Sequence, residues 1–124
     1  MTRWLGRYSD VLYALLRIVA GLLFACHGAQ KLFGVLGRQA APFGTLSWFA
    51  GVIDLAAGLM IALGIFASIA AFIASGEMAV AYFLVHAPQS VWPIENRGEL
   101  AAVYCFLFLY MASRGAGRWG ITRH

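Results

Sequence analysis

From Leu46 to Leu63 the chain is almost wholly apolar and carries a single charge, Asp54. A run of this length approaches the ~20 residues that cross the hydrocarbon of a bilayer. Three comparable stretches accompany it: Val11 to Lys31 with Arg17 inside, Ser68 to His86 with Glu77 inside, and the shorter Glu99 to Ser113. Backbone in hydrocarbon must satisfy its own hydrogen bonds, so such runs fold as helices. The composition agrees, because 62% hydrophobic against 11% charged residues lies outside the range of soluble domains. The expected fold is therefore all-α, a single polytopic membrane four-helix bundle over residues 1–124.

The connections fit this division. Leu32 to Thr45 carries Gly34, Gly37, Pro42 and Gly44, which is loop composition, and Gly64 to Ala67 is a tight turn that makes its flanking helices antiparallel neighbours. Ala87 to Arg97, with Pro88 and Pro93, cannot continue as helix. Arg3 and Arg7 before an apolar stretch raise the question of a cleaved leader, but the run that follows is too long for a signal core.

Four helices place both termini on one side. Arg3, Arg7, Arg114, Arg118 and Arg123 lie near the termini, against Lys31, Arg38 and Arg97 on the opposite loops, so the positive-inside rule expects both ends in the cytoplasm. Trp4 and Trp119 then mark the inner interface, and Trp48 and Trp92 the outer one. The net charge of +4 comes from scattered residues rather than a basic stripe, which argues against nucleic-acid binding. The glycines at 115, 117 and 120 mimic a dinucleotide fingerprint but follow a membrane helix, the wrong context for one.

Ionisable groups within the spans are costly in hydrocarbon and need partners or a task. Counting ~1.5 Å per residue from the outer boundary puts Asp54 and Glu77 at roughly 15 Å and Arg17 at about 20 Å. Gly21 and Gly28 on the first span and Gly44, Gly51 and Gly58 on the second recur at heptad spacing, a pattern that lets backbones approach closely. Arg17 is expected to pair with Glu77, leaving Asp54 to face an outer cluster of His27, Gln30, Lys31, His86, Glu95, Asn96 and Glu99.

Two readings of these groups stand. In one, the charges are a buried ion network that fixes helix register, and the histidines and Lys31 simply sit at the interface. In the other, they line a polar pocket open toward the outer face that holds a quinone head group. Asp54, Glu77 and His27 would then carry protons, and Arg17, Lys31, His86, Asn96 and Glu99 would bind the ligand. Phe24, Tyr82, Tyr104 and Phe106 would form the apolar wall. Cys26 and Cys105 lie at similar depths, where they are either a disulfide or two thiols used as small hydrophobes. No metal, haem or flavin motif is present.

Several segments resemble the DoxX family of small four-helix bacterial membrane proteins. They are Arg17 with Gly21, the HGxxKLFG run at His27 to Gly34, Gly51 with Asp54 and Gly58, MAVAYFLVHAP at Met78 to Pro88, and WPIENRGELAAVYCFLFLY at Trp92 to Tyr110. The resemblance extends over nearly the whole chain. Where the family commonly has Glu, this sequence has Asp54, and the family's C-terminal GPGxWSLD reads GAGRWGIT from Gly115 to Thr122.

The resemblance implies an integral protein of the bacterial inner membrane, with links to quinone-coupled sulfur oxidation and membrane-associated redox complexes. The leading expectation is a quinone- or quinol-binding protein acting with partner oxidoreductase subunits, itself a membrane subunit of such an enzyme. The alternative is a non-catalytic subunit or small-solute transporter. Expected partners are the lipid bilayer and either redox subunits or further copies of the chain.

Overall fold

The computed structural model describes residues 2–34, 40–86, 88 and 98–122, and all of the regular structure in these residues is helical. A short α1 (Thr2–Gly6) leads into α2 (Ser9–Phe33), α3 (Leu46–Leu63) and α4 (Ala67–Ala81). A π-helical turn, Tyr82–His86, extends α4, and α5 (Glu99–Arg114) follows. Among the described residues, three segments are long and apolar enough to cross a membrane: Ser9–Phe33, Leu46–Leu63 and Ala67–Leu84. Helix α5, at 16 residues, is shorter than that.

The boundaries expected for α3 hold at both ends. Thr45 caps its start by accepting from the Trp48 amide at 3.2 Å, and Gly64, at φ 73°, ends it in the left-handed conformation that suits glycine. The third span departs from expectation, because α-helix gives way to π-helix at Tyr82, four residues before His86. Hydrophobic periodicity does not distinguish these two windings, and π turns occur mostly as single local features of this kind.

Antiparallel α2 and α3 are joined almost backbone to backbone. A Cβ on Gly58 would lie 2.5 Å from the Ala25 nitrogen, and one on Gly21 would lie 2.5 Å from the Ala62 nitrogen. A Cβ on Gly28 would meet the Leu55 nitrogen, and one on Gly51 would lie 2.8 Å from the Lys31 Cβ. Four of the five heptad glycines thus serve the close approach expected of them. Gly44 does not, because it lies in the preceding loop with nothing within 4 Å of its Cβ position.

Helices α4 and α5 form the second pair. Ser68 and Ser75 donate across it to the carbonyls of Ala112 and Cys105, at 2.5 and 2.6 Å. The alanine face of α4, including Ala67, Ala70, Ala71 and Ala74, is buried. Phe24 joins the two pairs through edge contacts with Tyr104 and Phe108. Phe24, Ile61, Phe108 and Met111 are each at most 1% exposed, so an apolar layer fills the centre of the bundle. On the outside, Leu23, Phe72, Phe83 and Phe106 are all more than half exposed, as lipid-facing residues would be.

The segment after α5 folds back over the end of the bundle nearest the termini. Ile121 and Thr122 donate backbone hydrogen bonds to Leu63 and Gly64 at 3.1 and 3.0 Å, and the Thr122 hydroxyl accepts from the Phe66 amide at 2.8 Å. Tyr13 donates to the Gly115 carbonyl at 2.9 Å, and Ala116 is fully buried. The glycines of this segment therefore serve close packing, with Gly120 set against Gly64.

Candidate functional site

The two ends of the bundle treat their ionisable groups differently. Arg17 was expected to meet Glu77, and the structure overturns that pairing. Its side chain is 0% exposed and donates to the Ile61 and Ala62 carbonyls at 2.6 and 2.9 Å and to the Arg118 carbonyl at 3.2 Å. The last carbonyls of a helix lack intrahelical donors and carry partial negative charge, so a cation is well placed there. Side chains on a helix lean toward its N-terminus, which carries Arg17 away from the acids.

The same lean brings Lys31 and Asp54 together. Gly28 and Gly51 let α2 settle against α3, and three residues beyond each glycine stand Lys31 and Asp54, on helices that run in opposite directions. The Lys31 Nζ reaches the Asp54 Oδ2 at 2.8 Å, with side-chain exposures of 17% and 1%. Asp54 facing the cluster at the end away from the termini agrees with the sequence reading, and its partner there is Lys31.

Glu77 of α4 comes up beside Asp54. It is half-buried as a residue, but both carboxyl oxygens are fully buried. Two ionised carboxylates donate nothing to each other. In that state Asp54 Oδ1 and both Glu77 oxygens have no hydrogen-bond donor among the described residues, and one proton held between the carboxyls would supply a single donor. Such orphaned buried acceptors are uncommon and call for an explanation.

These groups form one end of a cavity of about 920 Å³ between α3 and α4, with α2 and α5 behind it. His27, Lys31, Asp54, Glu77 and Tyr104 supply its polar end. His27 is half-buried and stands edge-on to Tyr104, with ring centroids 6.3 Å apart. The remaining walls are largely aliphatic and aromatic, including Leu46, Phe49, Ile53, Ile73, Val80 and Leu84. Among the described residues, no three His, Cys, Asp or Glu side chains cluster as a metal site.

Of the residues singled out from sequence, His27, Lys31, Asp54 and Glu77 therefore meet in one place, and Arg17 lies at the other end. Glu99 is exposed in the first turn of α5, outside the cavity lining, where a carboxylate suits the positive end of the helix. His86 ends the π turn, and its side chain lies outside the described residues, as do Glu95 and Asn96 entirely. Phe24 and Tyr104 line the cavity as expected, whereas Phe106 is 71% exposed on the outer surface and Tyr82 is not among the lining residues. Cys26 and Cys105 are free thiols. The sequence reading missed the tail's packing and the Arg17 cap. The recurrence of Gly beside Trp and Thr after α5 was the available signal for the former.

Fold and cavity together define an apolar, all-helical membrane protein with a half-open amphipathic cleft between its helices. The chain belongs to the DoxX family, whose profile matches residues 12–87. The match takes in α2 to α4 and so every charged group of the cavity, but stops before the Trp92 to Tyr110 segment that also resembles the family. An uncharacterized protein of Haemophilus influenzae is 39% identical over 120 residues, covering 91% of this chain and 90% of its own. No solved structure matches.

Proposed function

We propose that the cavity binds an amphipathic ring ligand of the quinone class, head group toward Lys31, Asp54 and Glu77 and apolar tail along α3 and α4. The observation that carries this reading is the 920 Å³ cavity in which Lys31, Asp54 and Glu77 stand together within a lining that is otherwise mostly apolar. Binding sites of this size are typically apolar with a few placed polar groups. Carboxyls and the His27 imidazole are suitable carriers for the protons that accompany quinone reduction and oxidation. The protein would then serve as the quinone-binding membrane subunit of an oxidoreductase, with the electron-transferring partner supplied by another chain. Its setting would be the bacterial inner membrane, with four spanning helices and both termini cytoplasmic.

A transport reading is less well supported. Phe24, Ile61, Phe108 and Met111 separate the cavity from the end sealed by residues 115–122, which favours a blind site over a passage. The test is native mass spectrometry of the protein released from gently extracted membrane, together with thermal unfolding in added quinone. A ligand that binds the folded state raises its stability. A retained quinone and a raised melting temperature, both lost in Asp54→Asn, support the assignment. An unchanged melting temperature at saturating concentrations of both the oxidised and the reduced form removes it.

A further inference from the structure

We infer that the cavity prefers the reduced, hydroxyl-bearing form of its ring ligand over the oxidised, carbonyl-bearing form. This rests on the quinone-class reading above and specifies which member of the redox pair the resting site accommodates. With both carboxyls ionised, Asp54 Oδ1, Glu77 Oε1 and Glu77 Oε2 are buried acceptors with no donor among the described residues, and Asp54 is 1% exposed. Lys31, the ammonium of the cavity, gives one of its three N–H donors to Asp54 Oδ2 at 2.8 Å, and a carbonyl that took another would still leave the three acceptors unpaired.

A quinone carbonyl brings only lone pairs to this end and leaves those oxygens unsatisfied. A quinol brings an O–H, which a carboxylate accepts in a charge-assisted hydrogen bond, roughly twice as strong as a neutral one. If a proton already joins the two carboxyls, it satisfies one contact and a Glu77 oxygen still accepts from the ligand. Specificity is the difference between two affinities, and the unpaired acceptors act against the oxidised form as much as they favour the reduced one. The preference is one of binding alone, with no electron transfer.

The experiment compares decylubiquinol, kept reduced under argon, with decylubiquinone and with the dimethyl ether of the quinol. Each is titrated calorimetrically into the protein in nanodiscs, with empty nanodiscs as the control for partition. The quinol should bind at least ~10-fold tighter than the quinone, about the effect of one buried acceptor gaining its donor. The ether, of similar shape but without donors, should bind like the quinone. Glu77→Gln presents an amide donor in place of one acceptor, so its quinol preference should fall toward unity while its melting transition persists. Equal or tighter binding of quinone or ether by the wild-type protein overturns this inference and leaves the quinone-class reading standing. If none of the three binds, both fail.

Discussion

Replacing Lys31 by Met removes the ammonium and keeps most of the stem that lies against Gly51. Asp54, 1% exposed, then loses its one 2.8 Å partner and becomes a buried carboxyl with both oxygens unpaired. Breaking a buried ion pair from one side costs about 3–5 kcal/mol, because a charge is left without compensation. The reverse change, Asp54→Leu, should cost less, roughly 1–2 kcal/mol, because Lys31 is 17% exposed and its flexible stem can carry the ammonium outward. The double variant Lys31→Met with Asp54→Leu should recover most of the loss, since an apolar replacement of a whole buried pair is often neutral.

The resulting coupling energy should exceed the ~0.6 kcal/mol average, and the ~1.7 kcal/mol maximum, found for hydrogen bonds between membrane helices. The assay is reversible unfolding in mixed micelles by increasing sodium dodecyl sulfate, followed by circular dichroism, for the four proteins of the cycle. Equal costs for the two single variants, or a coupling at or below about 0.6 kcal/mol, would refute the argument that desolvation makes the pair asymmetric.

Other expectations follow from the helix contacts. Gly58→Val places a side chain where even a Cβ lies 2.5 Å from backbone, so destabilisation of at least about 3 kcal/mol is expected in the same assay. Arg17→Met leaves the Ala62 carbonyl without its side-chain donor and the Ile61 carbonyl with the Gly64 amide alone, for a loss of about 2–4 kcal/mol, while binding in the cavity at the far end is retained by those molecules that fold. Thr122→Val removes the acceptor of the Phe66 amide and should cost roughly 1 kcal/mol, with faster hydrogen exchange at Phe66 as the direct reading. Exposed Cys26 should react faster with a lipid-soluble maleimide than Cys105, which is partly covered and 3.6 Å from the Ser75 hydroxyl.

The sequence showed these features unequally, for physical reasons. Helix α3 was legible to the residue, because Thr45 and Gly64 are local signals that act on their own neighbours. The glycine contacts were legible because heptad recurrence survives in a linear string. Asp54 and Glu77 converge as their depths required. Arg17 was misassigned because matching opposite charges ignores helix ends, whose carbonyls are strong acceptors and have no signature in the residue types that bear them. The return of residues 115–122 was hidden for a related reason: its bonds run from backbone to backbone, and short glycine-rich sequence reads as loop wherever it docks. The turn at Tyr82 depends on a shift of backbone partner that side-chain periodicity does not register.

The four glycines between α2 and α3 have a mechanical consequence for the cavity. Two helices in backbone contact behave as one stiff plate, since separating them would open a void along their length. Any swelling needed to admit a bulky molecule must then be taken up by α4, on the opposite wall. Compliance of the site is thus a property of one side, and substitutions that stiffen α4 should slow exchange of whatever occupies it, whereas similar changes on the glycine side should alter stability first.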